Sequence, residues 1–366
     1  MKIAVSADCF SSFTSGFPVR GMMLNLIKIR KEDKFVLFYT KRETPSRLDA
    51  FYQDINNLPN VEVRYFKYRR KSVALRRMFQ LPLIKETSEF SLFINPGCPE
   101  YWSTINVPHI CSIADFSTLK GLSTGKYAWF YKTFNKYALY TLFKKIDIIV
   151  PISRFTENDL HSFWPQFKNK THVVLNGIDD VWFNDRFDTC DCNPFVDQPY
   201  FIWWGLISRR KNLDNLIEAY KIAKLKNQSI PKLLLVGRFE EYMEYIKNKF
   251  DDNIAFIPFQ DNYVIKSLVK HSKGLLFPSF YEGFGLPVIE AYSQGVPVAC
   301  SNVSSLPEIA SNKALLFDPY NVEDIAESII ELATLKYDSC EYKEYASNFT
   351  YRNAAKAYSI IIDSLI

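Results

Sequence analysis

Tyr200-Phe201-Ile202-Trp203-Trp204-Gly205 is a short apolar run closed by a glycine, and Leu233-Leu234-Leu235-Val236-Gly237 repeats the pattern downstream. Between them Leu213, Leu216, Ile217, Ala219, Tyr220 and Ala223 recur at helical spacing through 212–226. Ile254-Ala255-Phe256-Ile257, Gly274-Leu275-Leu276-Phe277 and Val296-Pro297-Val298-Ala299 continue the alternation, with helical stretches ending at Lys249, spanning Val264 to His271 and starting at Pro287. Continuous apolar strands separated by helices imply a parallel sheet buried on both faces. This half of the chain reads as a doubly wound α/β domain.

The first half repeats the theme less cleanly. Its strand candidates are Ile3 to Ala7, Phe35 to Tyr39, Val61 to Phe66, Ser91 to Ile94, His109 to Ile113, Ile146 to Val150 and His172 to Leu175. Helical stretches such as Gly21 to Ile29 and the aromatic-rich Tyr127 to Phe143 lie between them. Two similar domains in tandem follow, 1–178 and 179–341, joined through the Asp-, Asn- and Pro-containing stretch 176–198. Ligands of open α/β sheets bind beyond the carboxyl ends of the strands, so a cleft between two facing sheets is the place to look.

The 366 residues suit two domains of ordinary size, and 48% hydrophobic with 23% charged residues excludes a disordered chain. No apolar run is long enough to span a bilayer. The opening Met1-Lys2-Ile3-Ala4-Val5-Ser6-Ala7-Asp8 is too short in apolar residues for a signal peptide, and reads as a first strand. The seven cysteines are then expected to be reduced thiols of a cytoplasmic protein. Cys190 and Cys192 are the only close pair, with no second Cys or His pair at zinc spacing, so no metal is expected. A net charge of +5 does not support nucleic acid as the main partner.

The most informative segment for chemistry runs Phe277-Pro278-Ser279-Phe280-Tyr281-Glu282-Gly283-Phe284-Gly285-Leu286-Pro287-Val288-Ile289-Glu290. A strand ends at Phe277, two glycines allow close backbone approach, and Pro287 suits a helix's first turn, whose free N–H groups attract phosphate. Glu282 in the loop and Glu290 in the first turn of the helix are acceptors suited to sugar and ribose hydroxyls. As bare carboxylates they would merely favour a helix N-terminus; with both glycines and the proline they read as a site. A second strand-to-helix turn, Gly205-Leu206-Ile207-Ser208-Arg209-Arg210-Lys211-Asn212-Leu213, carries cations that would neutralise a diphosphate or, equally, form a solvated surface turn.

Together these elements resemble the retaining glycosyltransferases of family 4. Glu282 and Glu290 stand as E-x7-E in an EGFGLPVIEA run between FPS and a GVPV strand. Arg210-Lys211-Asn212 is similar to the family's RKN turn, Leu235-Val236-Gly237-Arg238 to its middle strand, and Asn176-Gly177-Ile178-Asp179 to the element near its domain join. Val150-Pro151-Ile152-Ser153-Arg154-Phe155-Thr156 resembles the element closing the N-terminal domain. The likeness covers nearly the whole C-terminal domain and, more weakly, the N-terminal one. It implies the GT-B fold, two facing Rossmann-like domains with a cleft between them, and a last helix, about 342–366, crossing back to the first domain.

The resemblance further implies metal-independent, retaining transfer of a hexosyl group from a nucleotide-diphosphate sugar, with no other cofactor. The RKN form points to mannose or rhamnose, hence GDP-mannose or dTDP-rhamnose, with UDP-sugars as the alternative. The acceptor would be a glycan or lipid-linked glycan in surface polysaccharide synthesis (lipopolysaccharide or capsule). Carried over residue by residue, Arg210 and Lys211 hold the diphosphate, the backbone at Phe284, Gly285 and Leu286 completes that site, Glu290 takes the ribose hydroxyls and Glu282 the transferred sugar.

Two departures from the pattern stand out. Where family members carry a His-Asp pair, this chain has Ala114-Asp115, leaving Asp115 to contact acceptor or donor. His109 lies at the start of that strand and is expected far from the site. Leu206 replaces an arginine that RKN-type members often lack. In the loop from Ser11 to Gly21, Gly16 is expected to approach the donor, and Arg20 to contact an anion on the acceptor side. The basic segment from Lys67 to Arg77 mixes cations with apolar residues and fits peripheral contact with an anionic membrane at the inner face, or a solvated helix face. The competing functional readings are a non-catalytic nucleotide-sugar-binding subunit, which the loss of histidine at Ala114 keeps open, and another GT-B enzyme such as an epimerase or phosphorylase.

Overall fold

The computed structural model describes residues 1–11, 16–40, 53–66, 89–97, 107–122, 128–184, 193–195, 197–238 and 245–365. They divide into two compact units, one of 1–177 with 351–366 and the other of 178–350. The helix Ser339–Ala346, expected to begin the return to the first domain, stays with the second unit. It stacks Tyr342 on Tyr292 with ring centroids 4.8 Å apart, and only from Tyr351 does the chain rejoin the first.

The first unit holds a parallel six-stranded sheet in the order β3-β2-β1-β4-β5-β6. Its strands are β1 Lys2–Ser6, β2 Lys34–Tyr39, β3 Val61–Tyr65, β4 Leu92–Asn95, β5 His109–Ile113 and β6 Ile148–Pro151. The second unit repeats the architecture with β7 Tyr200–Leu206, β8 Lys232–Arg238, β9 Ile254–Pro258, β10 Gly274–Phe277, β11 Val298–Ser301 and β12 Leu315–Phe317, ordered β12-β11-β10-β7-β8-β9. In each unit the first strand lies beside the fourth, so the winding direction reverses there. Those junctions, β1/β4 and β7/β10, are the topological switch points where such sheets bind ligands.

The apolar runs are central strands for the expected reason: β4, β5, β10 and β11 are buried along their whole length. His172–Leu175 is not a strand. It follows the edge of β6 through two backbone bonds, from His172 to Ile149 at 3.0 Å and from Val174 to Pro151 at 3.1 Å, and then leaves Leu175 exposed. Leu315–Phe317, the end of the short apolar run Ala314-Leu315-Leu316-Phe317, closes the other edge by pairing with β11.

The helix Gly16–Ile29 starts earlier than its apolar pattern suggested, which moves Gly16 and Arg20 out of the anticipated loop. Its partner is the C-terminal helix Tyr351–Asp363. Gly21 is required there, since a Cβ at that position would stand 2.1 Å from the Tyr351 ring. Arg30 reinforces the contact by donating to Ser359 Oγ at 2.9 Å and pairing with Asp363 at 2.6 Å. Among the described residues no helix is long and apolar enough to cross a membrane.

Candidate active site

The two segments singled out in the sequence leave the carboxyl ends of β7 and β10, the strands that flank the second unit's switch point. After β7 the chain makes a single 3-10 turn, Arg209–Lys211, and Asn212 reverses it in the left-handed region at φ 57°. Asparagine tolerates that conformation better than most residues. The Asn212 side-chain amide is tied down by donating to the Pro319 carbonyl at 2.8 Å, which the Asn215 amide also reaches, at 2.9 Å. The turn therefore has a fixed exit into the helix Leu213–Lys226. It is stitched to the second loop by the Phe280 amide, which donates to the Arg210 carbonyl at 2.9 Å.

That stitching brings Arg210, Lys211 and Glu282 together. Lys211 Nζ donates to Glu282 Oε1 at 2.5 Å and stands 5.0 Å from the centre of the Phe277 ring, while Arg210 Nη1 donates to Glu282 Oε2 at 3.1 Å and to the Tyr281 carbonyl. Glu282 and Lys211 are both buried. Burial pushes the Glu282 carboxyl upward, but the charges of Lys211 and Arg210 and the hydrogen bonds around it outweigh that, and hold it below the usual carboxylate value. The carboxylate thus engages both cations, an arrangement the spacing of E-x7-E did not reveal.

The glycine-bearing loop is held from β11's side by Ser304 and Ser305, which sequence reasoning missed. The Glu282 amide donates to Ser304 Oγ at 3.0 Å, and the Ser305 hydroxyl donates to the carbonyls of Glu282 at 3.0 Å and Phe284 at 2.8 Å. With those carbonyls engaged, the loop enters the helix Leu286–Ser293 through Gly285 at φ 103°, and Pro287 occupies the first turn. Phe284 is buried edge-on against Phe349, ring centroids 6.1 Å apart, so the backbone rather than this side chain is what a ligand can meet. Gly285→Ala would combine a strained φ with a Cβ 2.6 Å from Leu306. It is expected to cost about 1–3 kcal/mol, read from chemical denaturation. A loss under a few tenths would show that the loop adapts.

Glu290 does not lie in the first turn of its helix but one turn further in, so it is no simple partner for the helix dipole. Its Oε2 accepts from the indole Nε1 of Trp204, at 3.0 Å. Trp204 is a core residue of β7, as expected, yet its N–H is spent on this carboxylate, and its ring stacks on Trp182 with centroids 6.2 Å apart. Glu290 keeps part of its surface open but lies deep in the unit. Burial raises its carboxyl to about 7, opposed by the Trp204 bond and assisted by the negative charge of Asp179. Two glutamates eight positions apart therefore have opposite electrostatics, one held ionised and one poised near neutrality. Asp179 itself caps the turn Asp180–Phe183 by accepting from the Val181 amide at 3.0 Å.

The remaining sequence candidates belong to the first unit. Asp115 follows β5 and accepts from the Ser117 amide at 2.8 Å and the Ser117 hydroxyl at 2.6 Å, both through Oδ1. Ala114 offers only its carbonyl, which accepts from Thr156 at 3.2 Å. Arg20, on the Gly16–Ile29 helix, pairs with Asp54 at 2.8 Å, so its guanidinium already has a carboxylate partner. His109 is buried at the start of β5, stacked on Phe93 at 5.0 Å, which is a core role. The basic segment Lys67 to Arg77 and the pair Cys190 and Cys192 lie outside the described residues.

Comparison with known proteins bears on the same segments. Residues 191–351 match the family described as glycosyl transferases group 1. The O-antigen chain mannosyltransferase B of Escherichia coli is 33% identical over 168 residues, which are 44% of this chain and 42% of that protein. This chain thus spans less than half the length of that relative. Among solved structures, sucrose-phosphate synthase from Thermosynechococcus elongatus superposes with a TM-score of 0.72 at 16% identity, covering 100% of this chain and 99% of that one. Anabaena Alr3699/HepE, solved with UDP and glucose, gives 0.69 at 15% identity, covering 100% of both chains. The fold is GT-B, two Rossmann-like domains.

Proposed function

On the premise that residues 191–351 form a glycosyl transferases group 1 domain, we propose that the chain moves a hexosyl group, mannose or rhamnose, from a nucleotide-diphosphate sugar to a glycan or lipid-linked glycan acceptor, with retained anomeric configuration. The observation that carries this reading is the meeting of Arg210, Lys211 and Glu282 at the β7/β10 switch point, beside the start of the helix Leu286–Ser293. Bond cleavage at the anomeric carbon leaves growing negative charge on the diphosphate. Fixed cations and backbone N–H groups aimed at that charge stabilise the transition state more than the bound ground state.

In this mechanism Arg210 and Lys211 turn from Glu282 toward the diphosphate, which the N–H groups at Phe284, Gly285 and Leu286 also receive. Glu282, released on one side, accepts from a hydroxyl of the transferred sugar and opposes the positive charge that develops on its ring. Glu290 accepts from the ribose diol. Because the protein supplies the positive charge, no metal is required. In the first unit, Asp115, whose Oδ1 Ser117 holds, is assigned to the acceptor or sugar, Gly16 to the donor and Arg20 to the acceptor side. The mannosyltransferase name of the E. coli relative supports mannose, and hence GDP-mannose, ahead of other donors.

A thermal-shift series with GDP, UDP and dTDP and their sugar conjugates tests the reading. A ligand at 100 times its Kd adds about 2.7 kcal/mol to the native state, enough to move the melting temperature visibly. One nucleotide and its sugar should shift the protein, and transfer from that sugar should survive a chelator. No shift with any of them would remove the donor site, and complete loss of transfer on chelation would remove the metal-free mechanism.

A further inference from the structure

We propose that Trp204 is a positioning residue for Glu290: its indole N–H fixes one carboxylate oxygen so that the other faces the nucleotide ribose. The inference rests on the assignment of Glu290 to the ribose and adds what holds and tunes it. The geometry is one-sided. Trp204 Nε1 donates to Oε2 at 3.0 Å, and among the described residues Oε1 takes no protein hydrogen bond. Neither partner can drift. Trp204 lies in the central strand β7, 4% exposed and stacked on Trp182. Trp182 is in turn anchored to the Glu290 helix's end, where Gln294 Nε2 donates to its carbonyl at 2.6 Å. The Glu290 carbonyl also accepts from Ser293 Oγ, at 2.6 Å. Strand, turn and helix thus converge on one carboxylate.

An ionised carboxylate is acceptor-only and makes the stronger, charge-assisted bonds to ribose hydroxyls, and the Trp204 N–H favours the ionised form. Burial works against it, placing the group at about 7, so its charge state changes in the working range of pH. Asp179, on the turn packed against this helix, is the charge that acts on Glu290. Lys266, on the neighbouring helix Asn262–Lys270, gives its ammonium to the Asn184 carbonyl, and Tyr345, on the far side, donates to the Ile309 carbonyl. Trp204 and Asp179 therefore push in opposite directions. Removing the first should raise the pH at which ribose recognition appears, and removing the second should lower it.

The test measures Kd for GDP and UDP and for their 2′,3′-dideoxy forms from pH 5.5 to 9. In the unaltered chain the preference for the ribose form should grow through a midpoint near 7. Trp204→Phe keeps an aromatic ring but not the N–H. It should cut the preference about tenfold at pH 7, the scale of one hydrogen bond to a charged group, and regain it at high pH. Asp179→Asn still caps its turn and should move the midpoint down. An evenly weakened affinity at all pH values in Trp204→Phe, with no shift in Asp179→Asn, would mean Trp204 is only core and overturn the inference. If Trp204→Phe does not fold, the indole N–H resonance of Trp204 in the unaltered chain decides: it should shift through the same midpoint, and a signal unmoved across that pH range overturns the inference alone. No preference for ribose in the unaltered chain would instead overturn the assignment of Glu290 itself.

Discussion

Lys211→Ala is expected to lose both stability and nucleotide binding, and the two losses can be separated. Lys211 is buried against Glu282 Oε1 at 2.5 Å, and its removal leaves that carboxylate with Arg210 as its cation among the described residues. Breaking a buried ion pair by deleting one partner costs about 3–5 kcal/mol when the other charge is uncompensated, and Arg210 should keep the loss near the lower figure. The same lysine is assigned to the diphosphate. A hydrogen bond to a charged group contributes about 1.5–3 kcal/mol, so affinity should fall about ten- to a hundredfold.

Two controls make that expectation sharp. The Lys211→Met, Glu282→Gln double variant removes the buried carboxylate with the lysine, leaves the part-exposed Arg210 its bond to the Tyr281 carbonyl, and should recover most of the stability without recovering diphosphate affinity. Unfolding in urea and titration calorimetry read the two quantities independently. The sign of the pH dependence is also fixed. The folded Glu282 carboxyl lies below its ordinary value, so its pairing stabilises the chain above about 4.5 and is lost as pH falls through the folded value. The stability gap between the parent and Lys211→Ala should close in that acid range. A gap that persists there would assign the lysine's contribution to packing against Phe277.

The second unit was legible because its strands are continuous apolar runs and its two candidate loops follow runs closed by Gly205 and Phe277. What spacing could not show was convergence in space. Nothing along the chain says that the Arg210–Lys211 turn and Glu282 occupy one another, since β8 and β9 intervene in sequence and the meeting follows from β7 pairing with β10. Trp204 was correctly a strand residue, but only the pleat decides that its N–H reaches Glu290. Ser304 and Ser305 sit in an ordinary polar loop after β11, and their signal exists only once that loop is folded over the glycines. In the first unit the apolar pattern of the Gly16–Ile29 helix begins after its true start, because Gly16, Phe17 and Pro18 carry no helical signature. The edge strand Leu315–Phe317 does carry an apolar signal in Ala314 to Phe317, but three residues with Leu316 left exposed make a weaker pattern than the buried central strands.

Glu282→Gln should have the largest effect on turnover, with the chain folded and the nucleotide still bound. The amide keeps the size of the side chain and an oxygen for Lys211, but the group formed with Arg210 and Lys211 goes from one net positive charge to two. Diphosphate affinity should therefore be unchanged or higher. Transfer should fall, because the positive charge on the departing sugar loses its nearest counter-charge. Two unit charges about 4 Å apart interact by about 4 kcal/mol at an effective dielectric constant of about 20. That corresponds to about three powers of ten in rate, and shielding by the two cations should bring the observed loss to about a hundred- to a thousandfold. The diagnostic is a fall in kcat with an unmoved or lowered Kd for the nucleoside diphosphate, since only an interaction gained in the transition state gives that pattern. Parallel losses in Kd and kcat would make Glu282 a brace for Arg210 and Lys211 rather than a group that meets the sugar.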